Sequence, residues 1–140
     1  MKLDILQSDF ERCGFNPVIK TQTFSLFKSL PKVKGLYSIW QGDTCIYVGQ
    51  GGGRGGIRAR FDHHHNKAYA IFETNKGTRN GTQDGAGWKE GRSNDWWTPE
   101  HWTVEYFECP RAVHRTYLEG VMMLILNPFC NDESFEDRLI

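Results

Sequence analysis

The alternation of apolar and polar positions in the first half of the chain predicts a β-hairpin. Residues 35–40 and 45–49 are rich in aromatic and β-branched side chains, which favour strands. Residues 41–44 between them have the composition of a tight turn. Tyr37 and Tyr47 are placed symmetrically about this turn, so we expect their side chains to lie on one face of the hairpin.

A glycine-rich stretch follows the hairpin, at residues 50–56. So many glycines exclude the interior of a strand or a helix, and we expect a loop there. From Ile57 onward the apolar residues take helical spacing, with Phe61 one turn later on the same face. The pattern therefore predicts a helix that begins at residue 57 and ends at about residue 65.

The second half of the chain predicts one long loop, one strand and one helix. Residues 76–99 are rich in Gly and Trp, and structureless loops of this length are usually functional or disordered. Residues 102–107 have the composition of a third strand. Residues 113–126 are apolar on nearly every side of a helix, and Pro128 just beyond them favours its end.

Composition and charge limit the class of protein. A chain of 140 residues normally builds a single core, and aromatic residues at 14% can supply one. Lys plus Arg number 17, and so do Asp plus Glu, so the formal net charge is zero. This balance argues against a general nucleic-acid coat protein, which is usually strongly basic. The charges are nevertheless unevenly distributed along the chain, because residues 48–68 are mainly basic and the last nine residues mainly acidic.

The sequence also bears on the compartment. The longest apolar run, residues 121–126, is far too short to span a membrane, and the first residues contain no signal-length apolar stretch. The four cysteines lack the spacing of zinc or redox motifs. We therefore expect a cytoplasmic protein with reduced thiols and no membrane partner.

Glu119 is the only acidic residue within the predicted helix at 113–126. Burying an unpaired carboxylate is costly, so such a group is normally paired or binds a metal. Two interpretations are therefore open. Glu119 forms a salt bridge with Arg115 one turn earlier, or it is a metal ligand.

The glycine-rich loop and the helix behind it suggest a phosphate site. Arg60 and His64 are four residues apart and share a helix face. A Gly-rich turn lets a phosphate approach the backbone, a helix N-terminus attracts negative charge, and Arg can donate two hydrogen bonds to a phosphate. The alternative is a solvent-facing basic helix. The loop also matches the dinucleotide pattern G-x-G-x-x-G at residues 51–56, a match that follows from its Gly content alone.

The order of these features resembles the GIY-YIG nuclease family. The two halves of its name-giving motif correspond to residues 35–37, Gly-Leu-Tyr, and residues 47–49, Tyr-Val-Gly. The family then has an Arg on the next helix, often with a His four residues later, which match Arg60 and His64. Arg58 lies on the same helix, but Arg60 is favoured because the apolar Phe61 follows it.

The last motifs of the family correspond to residues in the predicted helix at 113–126 and just beyond it. The family's metal-binding Glu matches Glu119, and its Pro-x-x-Asn pattern matches Pro128 and Asn131. The resemblance covers residues 35–131. It implies an α+β fold with a small three-stranded antiparallel sheet flanked by helices. The chain then divides into an N-terminal extension at 1–34, a nuclease domain at 35–131 with an insertion at 76–99, and an acidic tail at 132–140.

The resemblance implies a metal-dependent endonuclease that hydrolyses phosphodiester bonds in DNA. Its ion would be Mg²⁺, with Mn²⁺ as a substitute, on Glu119. One of the two tyrosines would orient the attacking water or accept its proton, and the sequence does not say which. The catalytic residues that the resemblance implies are Tyr37, Tyr47, Arg60, His64, Glu119 and Asn131.

The remaining basic side chains predict contacts with duplex DNA: Arg54, Arg58, Lys67, Lys76, Arg79, Lys89 and Arg92. If residues 76–99 read a sequence, the protein is a compact restriction-type enzyme, and a palindromic site would require a homodimer. A nicking, repair or mobile-element nuclease is the rival within the class. Outside it, the alternative is a non-catalytic module that binds nucleic acid or a nucleotide and does not need Glu119.

Overall fold

A four-stranded antiparallel sheet organises the chain, with helices on both of its faces. The computed structural model describes residues 1–24, 29–64 and 101–128, except for the side chains of residues 62–64. The predicted insertion at 76–99 and the acidic tail lie outside these residues. The described elements are, in chain order, a 3-10 helix at Lys2–Leu6, α1 at Gln7–Cys13, β1 at Lys20–Thr23, β2 at Gly35–Gln41, β3 at Thr44–Gly51, α2 at Gly56–His64, β4 at Thr103–Glu108 and α3 at Ala112–Leu126.

The predicted hairpin is confirmed as β2 and β3. Its turn includes Gly42, whose φ of 56° is a conformation that glycine adopts without strain. Tyr37 pairs with Gly49 and Ile39 pairs with Tyr47, and the register shifts after Ile39. The helices predicted at 57–65 and 113–126 are also confirmed, as α2 and α3. In the described part of the chain, no helix is both long and apolar enough to cross a bilayer.

The sheet has four strands, in the order β1-β4-β2-β3, where the sequence predicted three. The additional strand is β1, which pairs with β4 at the sheet edge and is largely exposed. Its residues, Lys-Thr-Gln-Thr, are all polar, so no alternation of apolar positions marked it as a strand. Residues assigned to the N-terminal extension therefore contribute a strand to the sheet.

Two apolar clusters lie on opposite faces of the sheet, because neighbouring strand residues point to opposite sides. Tyr37 and Tyr47 belong to the cluster that Ile57 and Phe61 of α2 cover. The other face packs against the N-terminal helices and α3, through Leu3, Leu6, Phe10, Leu36, Val48, Phe107, Leu118 and Met122. Edge strand β3 thus lies between α2 and α3.

A buried carboxylate ties the N-terminus to the sheet. Glu105 in β4 is 5% exposed, and its two oxygens accept hydrogen bonds of 3.0 Å from the backbone N–H groups of Lys2 and Leu3. These groups belong to the first turn of the 3-10 helix, where backbone donors lack partners within the helix. The contact holds the first helix against the second apolar cluster.

Candidate active site

Two stacked tyrosines form the centre of the candidate site. The rings of Tyr37 and Tyr47 are 6.1 Å apart between centroids and inclined by 21°. The strand register makes them diagonal neighbours on one face, since Tyr37 lies opposite Gly49 and Tyr47 opposite Ile39. The expectation that both side chains share a face is confirmed.

Tyr37 is fully buried, and its hydroxyl lies against Gly49. A Cβ at position 49 would overlap the hydroxyl oxygen of Tyr37. Residue 49 must therefore be glycine if the Tyr37 ring is to keep this position. On its other side, the Tyr37 ring packs against Phe61 of α2, with centroids 4.5 Å apart. The second glycine of the motif therefore makes room for the first tyrosine.

The proton affinity of Tyr37 is set by burial and by its charged neighbours. Burial raises the pKa of the Tyr37 hydroxyl well above its ordinary value, and Tyr47 and Glu119 raise it further. Arg60 lowers this pKa through its positive charge and through a hydrogen bond to the hydroxyl. Because the raising effects dominate, Tyr37 keeps its proton at neutral pH. Arg60 is itself exposed, so its guanidinium connects the buried hydroxyl to the surface.

Glu119 lies within electrostatic reach of Tyr37 although it belongs to α3 on the opposite face of the sheet. Its side chain is half-buried, and Oε1 accepts a 3.2 Å hydrogen bond from Nε2 of Gln50 near the end of β3. The salt bridge with Arg115 does not form. The Arg115 guanidinium donates instead to the carbonyl oxygens of Cys109 and Pro110, at 2.9 and 2.8 Å.

The first turn of α2 is not an open anion site, so of the two alternatives this part of the helix fits the solvent-facing one. Its backbone N–H groups are used by the protein itself. Ile57 N–H donates to the carbonyl of Val33 at 2.8 Å, and Arg58 N–H donates to that of Pro31 at 3.3 Å. The N–H groups of Gly56 and Ala59 donate to the carbonyls of Gly53 and Gly55.

The glycines of the loop serve close packing. Gly56 has a φ of 59°, and a Cβ there would overlap the Val33 carbonyl. A Cβ at Gly51 would lie 2.5 Å from the Gly56 carbonyl carbon. Small residues are therefore required where strand, loop and helix meet.

The structure separates the two arginines of α2. Arg60 forms the hydrogen bond to Tyr37 and lines a cleft of about 220 Å³ together with Gln50, Arg54 and Ala59. Arg58 lines a different cleft. The structure thus places Arg60, and not Arg58, beside Tyr37.

Other predicted site residues lie outside the described part of the chain. His64 is the last residue of α2, and its side chain is not described. The remaining ones lie wholly outside it: Lys67, Lys76, Arg79, Lys89, Arg92 and Asn131. Gln50, in contrast, belongs to the site and was not predicted. The available signal was its position directly after Gly49, at the end of a strand next to the motif.

A metal ion at this site would depend on a single carboxylate. Among the residues that the structure describes, no three His, Cys, Asp or Glu side chains are grouped as a metal site. Mg²⁺ nevertheless binds proteins through one or two carboxylates while it keeps several waters. The half-buried Glu119 carboxylate, held at Oε1 by the amide of Gln50, has the donor chemistry for Mg²⁺ or Mn²⁺.

The chain matches no protein-family model, no curated protein and no solved structure. The functional assignment therefore depends on the chemistry of the residues themselves.

Proposed function

We propose that the protein is a metal-dependent endonuclease of GIY-YIG type, which hydrolyses phosphodiester bonds in duplex DNA. One observation carries the proposal. Tyr37, Tyr47, Arg60 and Glu119 come from four different elements, and Tyr37 lies within electrostatic reach of the other three side chains. A water-orienting hydroxyl, a phosphate-binding cation and a metal-binding carboxylate are the groups that phosphodiester hydrolysis needs.

Arg60 has two functions in this proposal. Its exposed guanidinium binds the oxygens of the scissile phosphate, where negative charge increases in the transition state. Its hydrogen bond to Tyr37 holds the phenol hydroxyl next to the same phosphate. One side chain thereby binds the phosphate and is itself held in place by the buried Tyr37 hydroxyl.

Tyr37 acts while it is still protonated, and because its hydroxyl is buried it orients the attacking water through Arg60, the exposed side chain that it bonds. A phenol with a pKa well above 10 is a poor proton acceptor at neutral pH. The water oxygen bonds to phosphorus and gives up one proton to solvent, the ester bond to the leaving oxygen breaks, and the leaving oxygen takes up one proton from solvent. Phenolate at Tyr37 becomes available only as pH rises, and the positive charge of Arg60 favours its formation.

Glu119 would hold the ion, and Gln50 would hold Glu119. When bound, Mg²⁺ or Mn²⁺ supplies charge stabilisation at the phosphate and at the leaving oxygen. Tyr47 packs the Tyr37 ring in place and is itself only 6% exposed. His64 and Asn131 remain proposed members of the site on the resemblance alone.

A pair of arginine variants tests this assignment. Arg60→Ala removes the guanidinium that is bonded to Tyr37, whereas Arg58→Ala removes another exposed charge from the same helix. We expect Arg60→Ala to reduce the single-turnover cleavage rate at saturating protein by at least about a hundredfold, and Arg58→Ala to leave this rate within a few-fold of wild type. Equal losses in both variants would show that the arginines act through charge alone.

The strand outcome distinguishes the narrower functions. Discrete double-strand fragments from a complex DNA would indicate a restriction-type enzyme acting as a homodimer. Nicks in one strand would indicate a repair or mobile-element enzyme. DNA binding without any cleavage would support the non-catalytic module, for which the contact between Gln50 and Glu119 is structural only.

A further inference from the structure

A second basic cleft lies beside the candidate active site. It has a volume of about 590 Å³ and is lined by Lys32, Arg54, Gly55, Arg58 and Ala59. Arg54 and Ala59 also line the smaller cleft that contains Arg60. The two clefts are therefore neighbours, with Arg54 between them.

The charged residues that line these clefts are all cations. Lys32, Arg54 and Arg58 are exposed, and within the described part of the chain none of them forms an ion pair. Among the residues that the structure describes, no carboxylate lines either cleft. Like charges held this close repel one another, so the arrangement is favourable when an anion lies among them.

Lys32 is held at this place by hydrogen bonds on both of its sides. The carbonyl of Pro31 accepts from Arg58 N–H, and the carbonyl of Val33 accepts from Ile57 N–H. These bonds fix residues 31–33 against the first turn of α2. Lys32 is separated from α2 by β2 and β3 along the chain, and these bonds make it a neighbour of Arg58.

The same hydrogen bonds determine how an anion binds there. Because the backbone N–H groups of residues 56–59 are already used, the exposed cationic side chains are the groups of this cleft best placed to bind an anion. Exposed cations bind the phosphates of duplex DNA through charge and counterion release, which makes the affinity strongly dependent on salt.

We propose that Lys32, Arg54 and Arg58 form a binding site for backbone phosphates of duplex DNA that flank the phosphate held by Arg60. This proposal rests on the proposed function in one respect only, namely that Arg60 binds the scissile phosphate. The site contributes affinity and register and takes no part in bond cleavage. The N-terminal segment thus supplies a DNA contact through Lys32.

The test measures binding without cleavage. The Glu119→Gln protein is titrated against a short fluorescein-labelled duplex in chelator, over a series of salt concentrations, and the anisotropy gives the affinity. Lys32→Ala and Arg58→Ala are each added to this protein. Lys20→Ala is the matched control, because Lys20 is an exposed cation on β1 at the opposite edge of the sheet.

Each cleft variant should reduce the slope of log affinity against log salt by about 0.9 and weaken binding by roughly fivefold to tenfold at low salt. The control should change neither quantity. Slopes and affinities that match the control in both cleft variants would overturn the proposal.

A second measurement separates this proposal from the nuclease assignment. In the cleaving protein, Lys32→Ala should raise the protein concentration needed for half-maximal single-turnover cleavage and leave the rate at saturation unchanged. A protein that never cleaves but shows the slope changes would retain the phosphate site and lose the nuclease assignment. A protein that cleaves DNA but shows unchanged slopes would retain the nuclease assignment and lose the phosphate site. A loss of rate at saturation would show that Lys32 acts in the reaction itself and would overturn the proposal as stated.

Discussion

The hydroxyl of Tyr37 lies against Gly49, its cross-strand partner, in the space that any side chain at position 49 would occupy. The two residues belong to the two halves of one sequence motif. Their contact gives a physical reason why a glycine in the second half accompanies a tyrosine in the first. It also makes the position of the hydroxyl sensitive to a single methyl group.

Gly49→Ala should displace the Tyr37 ring. The added methyl overlaps the hydroxyl, so we expect a loss of about 1–3 kcal/mol in the free energy of unfolding, measured by urea denaturation. Cleavage should fall as well, because the hydroxyl loses its position. Gly53→Ala is the control, since a Cβ there meets nothing within 4 Å. Equal stability of the two variants would contradict the packing described here.

Gln50 should control the metal requirement. Gln50→Ala removes the amide that donates to Glu119 Oε1, and residues that orient a metal ligand typically contribute about 10- to 100-fold in metal affinity or activity. We expect the Mg²⁺ concentration for half-maximal cleavage to rise by about tenfold or more. The affinity for Mn²⁺, measured by paramagnetic resonance without DNA, should fall in parallel.

Gln7→Ala, at an exposed position of α1, provides the control for the Gln50 variant. An unchanged metal requirement in Gln50→Ala would show that the hydrogen bond does not position Glu119 for an ion.

Cys45 should make the protein less stable at alkaline pH. Burial raises the pKa of its thiol from 9.0 to about 12. Between these values the unfolded chain loses a proton that the folded chain keeps. This contribution to stability is therefore complete below pH 9.0 and is lost progressively as pH rises from there. One group contributes at most about 1.4 kcal/mol per pH unit.

Urea denaturation from about pH 7 to about pH 10.5 measures this effect. Cys45→Ala should show a shallower decline in the free energy of unfolding than the wild type. Val48→Ala, which removes buried atoms from the same strand and no titrating group, should keep the wild-type decline. The same decline in all three proteins would show that Cys45 is not the titrating group.

The sequence was informative where local pattern and burial agree. The hairpin, α2 and α3 each have an apolar side that must be covered, and that need is visible in the spacing of Tyr37 and Tyr47 and of Ile57 and Phe61. Edge strand β1 has no such side. It is specified by pairing with β4, a contact between distant parts of the chain that its own residues do not encode as a pattern.

The candidate site was likewise predictable from the sequence only in part. The motif residues were predicted, but their hydrogen bonds were not. Helical spacing allowed a pair between Arg115 and Glu119, whereas Gln50 on β3 supplies the contact. Likewise, the carbonyls of Pro31 and Val33 occupy the N–H groups that a phosphate was expected to use. These partners come from outside the local segment, so spacing along the chain does not indicate them.

The most direct test of the nuclease assignment is DNA cleavage by wild type and Glu119→Gln, with Mg²⁺ and with chelator. A complex viral or plasmid DNA serves as the substrate, and circular dichroism confirms that both proteins are folded. We predict discrete fragments or nicks from the wild type with Mg²⁺ only, and none from Glu119→Gln. Cleavage by Glu119→Gln equal to that of wild type, or no cleavage by folded wild-type protein with Mg²⁺ or Mn²⁺, would contradict the assignment.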